Sequence, residues 1–588
     1  MPMCVEPSHM SIEDNYVDVT DLDTLRSEGR QLVSPDGRHV ALFHHEGEVY
    51  AVDNRCPHMG FPLADGSVED GILTCHWHHA RFELACGDTF DIWADDVQTY
   101  PVAVEDGRVY VDPDPEPDVP PETHWRNRLA DGLEENLSLV IAKAVINLDD
   151  LGEGFQTPLE TAIDFGTQYR SMGWGRGLTT LAAMANLYPE VEAPQRRRAM
   201  HLGIGEVAAE CAGEPPRFSQ YALANEDLPK ERLKSWFRET CEVRDEDGAE
   251  RCLRTAAAVL PPSDVVEILL AAATDHLYMN ASHTLDFVNK AVETLDHVGW
   301  ERAPDVLAAT IPQITDGARA EEQSSWRQPV DVAELVFSAH DRLEDLVAAG
   351  ENASWDRPEE FVDTLLGDDP HEIMDALTGA IEAGATAEQL TGAVAIAATR
   401  RVAQFGTGNE FSDWDTVHHT FTYANAAHGL AQRTDAVEAY RPALDGAMSV
   451  YLDRFLNQPP APIPGPGDAD LEDAAAIRER LLDTFDEQGR VDEAGRLVAA
   501  HFGSGGSVSA LRQTLAEGLL REDADFHTLQ SLEAAVERAR QAERPEERRL
   551  PLIAAARYMA AHFPTRRERE QTYRIAERLF RGEQIHDG

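Results

Sequence analysis

The stretch Cys56-Pro-His-Met-Gly60, followed by Thr74-Cys-His-Trp-His78, decides how this chain is read. It sets apart two Cys-and-His pairs, Cys56 with His58 and Cys75 with His78. Two thiolates and two imidazoles suit a two-iron, two-sulfur cluster, with one iron held by sulfur and the other by nitrogen. The same donors also suit a single tetrahedral zinc. The surroundings separate the two. His39-Val-Ala-Leu-Phe43 and Val49-Tyr-Ala-Val52 are β-rich runs around a polar turn, and Tyr100 to Val111 alternates around Glu-Asp-Gly. That predicts hairpins, a frame that zinc knuckles lack.

The motif is C-x-H followed by C-x-x-H. Gly60, Pro62, Leu63 and Gly66 follow the first pair, and Trp77, Arg81 and Phe82 surround the second. It resembles the Rieske iron–sulfur domain, over residues 14–113. The resemblance implies one 2Fe-2S cluster per chain, with Cys56 and Cys75 on one iron and His58 and His78 on the other. His76 stands where the family has Pro. His79 stands where it has Gly, which makes His79 a rival ligand out of step by one residue. High-potential relatives carry a disulfide where this chain has Phe61 and Trp77, and hydroxyls where it has Ala80 and Phe82. Fewer hydrogen bonds to sulfur lower the potential, so the ferredoxin-like type that feeds oxygenases is expected.

Outward from this domain, residues 1–13 read as a disordered lead-in and 114–121 as a Pro-rich linker. Residues 122–457 read as an all-helical domain, 458–467 as a Pro/Gly linker, and 468–588 as a helical C-terminal domain. The expected architecture is multidomain: a small all-β domain, then a large all-α region of degenerate helical repeats. With 588 residues, about three to four domains are the starting expectation.

Within the helical part, His283-Thr-Leu-Asp-Phe-Val-Asn-Lys-Ala lies over His419-Thr-Phe-Thr-Tyr-Ala-Asn-Ala-Ala, and both over His527-Thr-Leu-Gln-Ser-Leu-Glu-Ala-Ala. Thr180 to Leu187 keeps Asn186 without the His. Asp415 and Asp523 each precede a repeated His by four residues, which on a helix shares one face. His283, His419 and His527, with Asp415 and Asp523, are therefore candidates for a second, non-haem metal, and His276, His418 and His428 lie nearby in sequence. The bland alternative is a packing or capping device copied by duplication. The repeats bear a faint resemblance to those of questin-oxidase-like proteins. Large ring-hydroxylating oxygenases place an H-x4-H site after their Rieske domain; no match to it appears here.

The chain has 51 basic and 106 acidic residues, a net charge of −55. Such a surface disfavours nucleic acid and anionic membranes, and its dispersal suggests a halophilic source. Seven scattered cysteines, two of them in the motif, are not a disulfide framework. No signal peptide or membrane span is apparent, so a cytoplasmic protein is expected. No nucleotide-binding motif is present, so a separate reductase or ferredoxin must supply electrons. The reading is an oxidoreductase that passes single electrons to a site in its helical region, acting on a small-molecule substrate. The alternative is a non-catalytic carrier or redox sensor on a helical partner-binding scaffold.

Overall fold

The computed structural model describes residues 15–117, 119–225, 227–279, 282–323, 327–410, 413–467, 473–542, 544–583 and 585. The expected lead-in, residues 1–13, lies outside them. The chain forms two compact units. One takes the residues up to Pro158 together with those from Gln571 onward; the other runs from Leu159 to Glu570.

The first unit opens with nine short strands. They are β1 (Val17–Asp21), β2 (Arg30–Val33), β3 (Val40–His45), β4 (Glu48–Asp53), β5 (Ser67–Glu69), β6 (Ile72–Thr74), β7 (Arg81–Glu83), β8 (Val102–Glu105) and β9 (Arg108–Val111), with helix α1 (Leu22–Glu28) after β1. They pair antiparallel into three sheets ordered β1-β9-β8, β2-β3-β4 and β5-β6-β7. Three hairpins turn on two residues with positive φ: Glu46-Gly47, Asp70-Gly71 and Asp106-Gly107. Turns with both residues left-handed match the right-handed twist of the strands they join. This fixes the register, so Ala41, Phe43, Val52, Leu73 and Phe82 all face one core that also takes Cys56 and Cys75.

Two helices follow, α2 (Pro121–Glu134) and α3 (Ser138–Asp150). Pro121 sits at the first helical position, where its missing N–H costs nothing. On α3, Ala142 and Ile146 are fully buried against Tyr573 and Ala576 from the end of the chain.

The second unit is helical. Four of its helices carry the repeat: α4 (Arg176–Leu187), α5 (Thr284–Val298), α6 (Asp413–Ala431) and α7 (Phe526–Gln541). They close a ring in which α4 packs on α5, α5 on α6, α6 on α7 and α7 on α4. Val288, Ala291, Ala424 and Leu532 are fully buried, and burying a side chain the size of Val or Leu contributes about 1.5–3 kcal/mol. The start of α7 is set by Asp525, whose carboxylate accepts the Thr528 N–H at 2.9 Å, an N-cap. A further helix, α8 (Pro545–His562), packs on α7. No described helix is long and apolar enough to cross a membrane.

Candidate functional site

Two loops of the first unit carry the motif, and they are built alike. In the first, Gly60 N–H donates to Cys56 O at 2.7 Å and Cys56 N–H to Phe61 O at 2.8 Å. In the second, His79 N–H donates to Cys75 O at 3.0 Å and Cys75 N–H to Ala80 O at 2.8 Å. Gly60 and His79 take the same left-handed turn, with φ of 80° and 63°. His79 therefore occupies the place of a conformational glycine, and its side chain is exposed. The loops bring the His58 and His78 rings to 4.8 Å between centroids, edge to face. Trp93 packs on His58 at 4.6 Å and Trp77 on His78 at 4.4 Å.

Both sulfurs are buried, at 2% exposure for Cys56 and 1% for Cys75. Backbone N–H groups of His58 and Met59 donate to the Cys56 sulfur, and those of Trp77 and His78 to the Cys75 sulfur. The two thiols also share a hydrogen bond, which pushes Cys56 up and draws Cys75 down. Burial, and then the neighbouring His78 and Lys143, lower His58 to about 4, so its ring is neutral. Its Nδ1 is buried without a hydrogen-bond partner among the described residues. Two sulfurs already dressed in N–H donors and an orphaned imidazole nitrogen fit the donor set of a mixed-ligand 2Fe-2S cluster. The backbone donors depend on loop conformation, so side-chain identity at Ala80 and Phe82 gave no hint of them.

Helices α2 and α3 reach this site through ion pairs. Lys143 donates to the carbonyls of Pro57 and His58, the latter at 3.2 Å, and to Asp95 Oδ2 at 3.2 Å. Arg128 Nε donates to Asp95 Oδ1 at 2.7 Å. Burial works against the Asp95 carboxylate, but Lys143 and Arg128 outweigh it and hold its pKa below the ordinary value.

In the second unit, His283, His419 and His527 converge. The Nε2 atoms of His419 and His527 lie 3.1 Å apart, and those of His527 and His283 3.3 Å. His283 Nδ1 faces Asp286 Oδ2 at 3.0 Å, and Gln530 Nε2 holds that same oxygen at 2.9 Å. Asp415 Oδ1 reaches across helices to His527 Nδ1 at 3.4 Å and accepts the Tyr558 hydroxyl at 3.0 Å. Asp523 does not join this group, contrary to its spacing from His527. It precedes the first turn of α7, and its carboxylate caps the Glu568 and Arg569 N–H groups at 2.9 and 3.0 Å. A four-residue spacing shares a face only when both residues are helical; Asp525, the N-cap, lies beside His527 and Asp415 instead. His418 is fully buried against His527, and burial keeps its pKa well below 6.5. His276 is clamped between Glu321 at 2.6 Å and Glu242 at 2.7 Å. His428 meets Thr391 and the Glu388 carbonyl.

Farther along, where Asn425 and Glu533 stand six residues beyond His419 and His527, the same helices meet again. Asn186 Nδ2 donates to Glu293 at 2.7 Å and Glu533 at 2.9 Å, and buried Lys290 bridges the same two carboxylates at 2.8 and 2.6 Å. Asn186, Glu293 and Glu533, with Asn425 and His297, line a cavity of about 570 Å³. At the other level, Gln313 ties the start of α4 to that of α5, through the Trp174 carbonyl and the Thr284 hydroxyl. Two levels met in the same order mean that the four helices run parallel.

The Rieske [2Fe-2S] domain family model matches residues 15–101. A ferredoxin component of naphthalene 1,2-dioxygenase/salicylate 5-hydroxylase systems from Ralstonia sp. is 34% identical over 96 residues, 16% of this chain and 92% of the relative. The 3-phenylpropionate/cinnamic acid dioxygenase ferredoxin subunit of Photorhabdus laumondii is 42% identical over 74 residues, 12% of this chain and 70% of the relative. Among solved structures, the ferredoxin of carbazole 1,9a-dioxygenase from Nocardioides aromaticivorans IC177 is 26% identical, covering 17% of this chain and 100% of that one, at a TM-score of 0.17. These matches are confined to the β-rich part of the first unit, and through it the chain belongs to the Rieske [2Fe-2S] family.

Proposed function

We propose that the chain is a Rieske-type electron-transfer protein, with Cys56 and Cys75 holding one iron of a 2Fe-2S cluster and His58 and His78 the other. The observation that carries this is the pair of matched loops, which set two buried sulfurs and two imidazoles at one place. When bound, the cluster supplies reversible one-electron storage. The protein's part is to fix the imidazoles between Trp93 and Trp77, to direct backbone N–H groups at the sulfurs, and to leave the His78 edge exposed for electron entry. Relatives that are ferredoxin components of dioxygenase systems support the electron-carrying role.

In this reading a reductase or ferredoxin donates the electrons. The acceptor is a second, non-haem metal in the helical repeats, where a small-molecule substrate reacts, and the protein works in a saline cytoplasm. His→Cys or His→Ala at position 58 or 78 should abolish the mixed-ligand paramagnetic signal; an intact signal would show the ligands to be misassigned. Iron-replete protein that holds two irons and no more, with turnover unchanged when all three repeat histidines are replaced, would leave only the carrier or sensor role.

A further inference from the structure

At the histidine level of the second unit three ring nitrogens converge. A carboxylate only accepts, so the Nδ1 of His283 facing Asp286, and that of His527 facing Asp415, each carry the ring proton. The Nε2 atoms of these two rings face each other at 3.3 Å. His419 adds its Nε2 at 3.1 Å from that of His527. Three imidazole nitrogens converging so closely can share one cation.

The spacing suits a metal ion. Nitrogens about 2.1 Å from a common ion stand ~3.0 Å apart at right angles and ~3.4 Å apart at the tetrahedral angle. The two measured separations fall within that interval. The supporting shell is also present. Asp286 is itself held by Gln530, and Asp415 by Tyr558. A carboxylate on the far nitrogen fixes both tautomer and ring orientation in metal-binding histidines. With Asp525 also adjacent, the level is rich in negative charge. The His283 and His527 side chains are about one-fifth exposed, so an ion can enter and one side stays accessible.

We infer that His283, His419 and His527 bind one divalent transition-metal ion of borderline softness, such as iron(II), through their three Nε2 atoms. Asp286 and Asp415 act as positioning residues. The remaining coordination positions stay open to water or a small oxygen-donor ligand, as three-ligand sites do. This rests on, and gives a place to, the second metal of the proposed function, although its geometry is independent of the cluster loops.

The test uses the full chain with its cluster loaded, titrated with cobalt(II) and followed by visible absorption. One equivalent should bind with ligand-field bands. H283Q, H419Q and H527Q should each weaken binding by at least about 100-fold, and D286N by about 10–100-fold with the bands retained at saturation. Absence of binding in the unsubstituted chain, or unchanged affinity in the three His variants, overturns the assignment. Should a variant lose its helical circular dichroism, the unsubstituted chain decides: pulsed paramagnetic resonance of bound copper(II) should count three imidazoles, and fewer than three would overturn it. The mixed-ligand signal, read in the same samples, separates the two readings. Its loss with cobalt binding intact sinks only the electron-transfer proposal, and the reverse sinks only this one.

Discussion

The Lys143 ammonium stands 3.2 Å from the carbonyl oxygen of His58. A helix that follows the β-rich part thus places a positive charge against the first loop of the cluster site. A nearby cation stabilises the more negative, reduced state. K143M should therefore lower the midpoint potential, by on the order of 50 mV, or about 1.2 kcal/mol for one electron. Redox titration by circular dichroism checks it; an unchanged potential would mean that the charge is screened from the cluster.

Asp95 joins Lys143 and Arg128 inside the first unit. D95N leaves buried Lys143 without a carboxylate and Arg128 with Asp131 alone, and should cost about 3–5 kcal/mol near neutral pH. Because the Asp95 pKa is held below 3.8, its stabilisation is complete above about pH 4 and fades as pH falls through the lowered native value. Urea unfolding at pH 7 and pH 2.5 should show a large gap between parent and D95N at the higher pH and a smaller one at the lower.

His79 carries a side chain in a left-handed turn at φ 63°, a conformation that glycine adopts with less strain. H79G should stabilise the first unit by about 0.5–1 kcal/mol and keep the mixed-ligand signal, whereas H78G should lose it. The opposite pattern would make His79 the ligand. Thermal unfolding and paramagnetic resonance on the two variants decide.

His276, between Glu242 and Glu321, has a raised pKa: burial opposes its charge, but the two carboxylates prevail. Its contribution is complete below about pH 6.5 and is lost as pH rises through the raised native value. H276Q should cost about 1–2 kcal/mol at pH 6 and much less at pH 10. A penalty independent of pH would show packing, not charge, to be responsible.

The sequence exposed whatever depended on near neighbours. The Cys56-x-His58 and Cys75-x-x-His78 spacings and the X-Gly turns are local, and both lie in short loops whose form the chain itself dictates. The repeated His-Thr pattern was visible because three helices carry it in the same register. The partners of those histidines were not. Asp415 serves a histidine on another helix, and Asp523 falls two residues short of the helix that its spacing presumed. Lys143 stands in an otherwise apolar run, and nothing nearby in sequence reveals that it points at His58 and Asp95. Glu293, Lys290 and Glu533 were equally mute, because their meeting depends on which helices adjoin.

The parallel course of α4 to α7 has an electrostatic consequence. Peptide dipoles add along each helix, and the amino ends of α5 and α7, beside His283 and His527, carry about half a positive charge each, about one in total. That alone would repel an incoming cation. Asp286, Asp415 and Asp525 stand at this end, and their ionised forms tip the balance to net negative. These carboxylates thus turn an amino face that would turn cations away into one that draws them in, and neutralising any one of them weakens the pull.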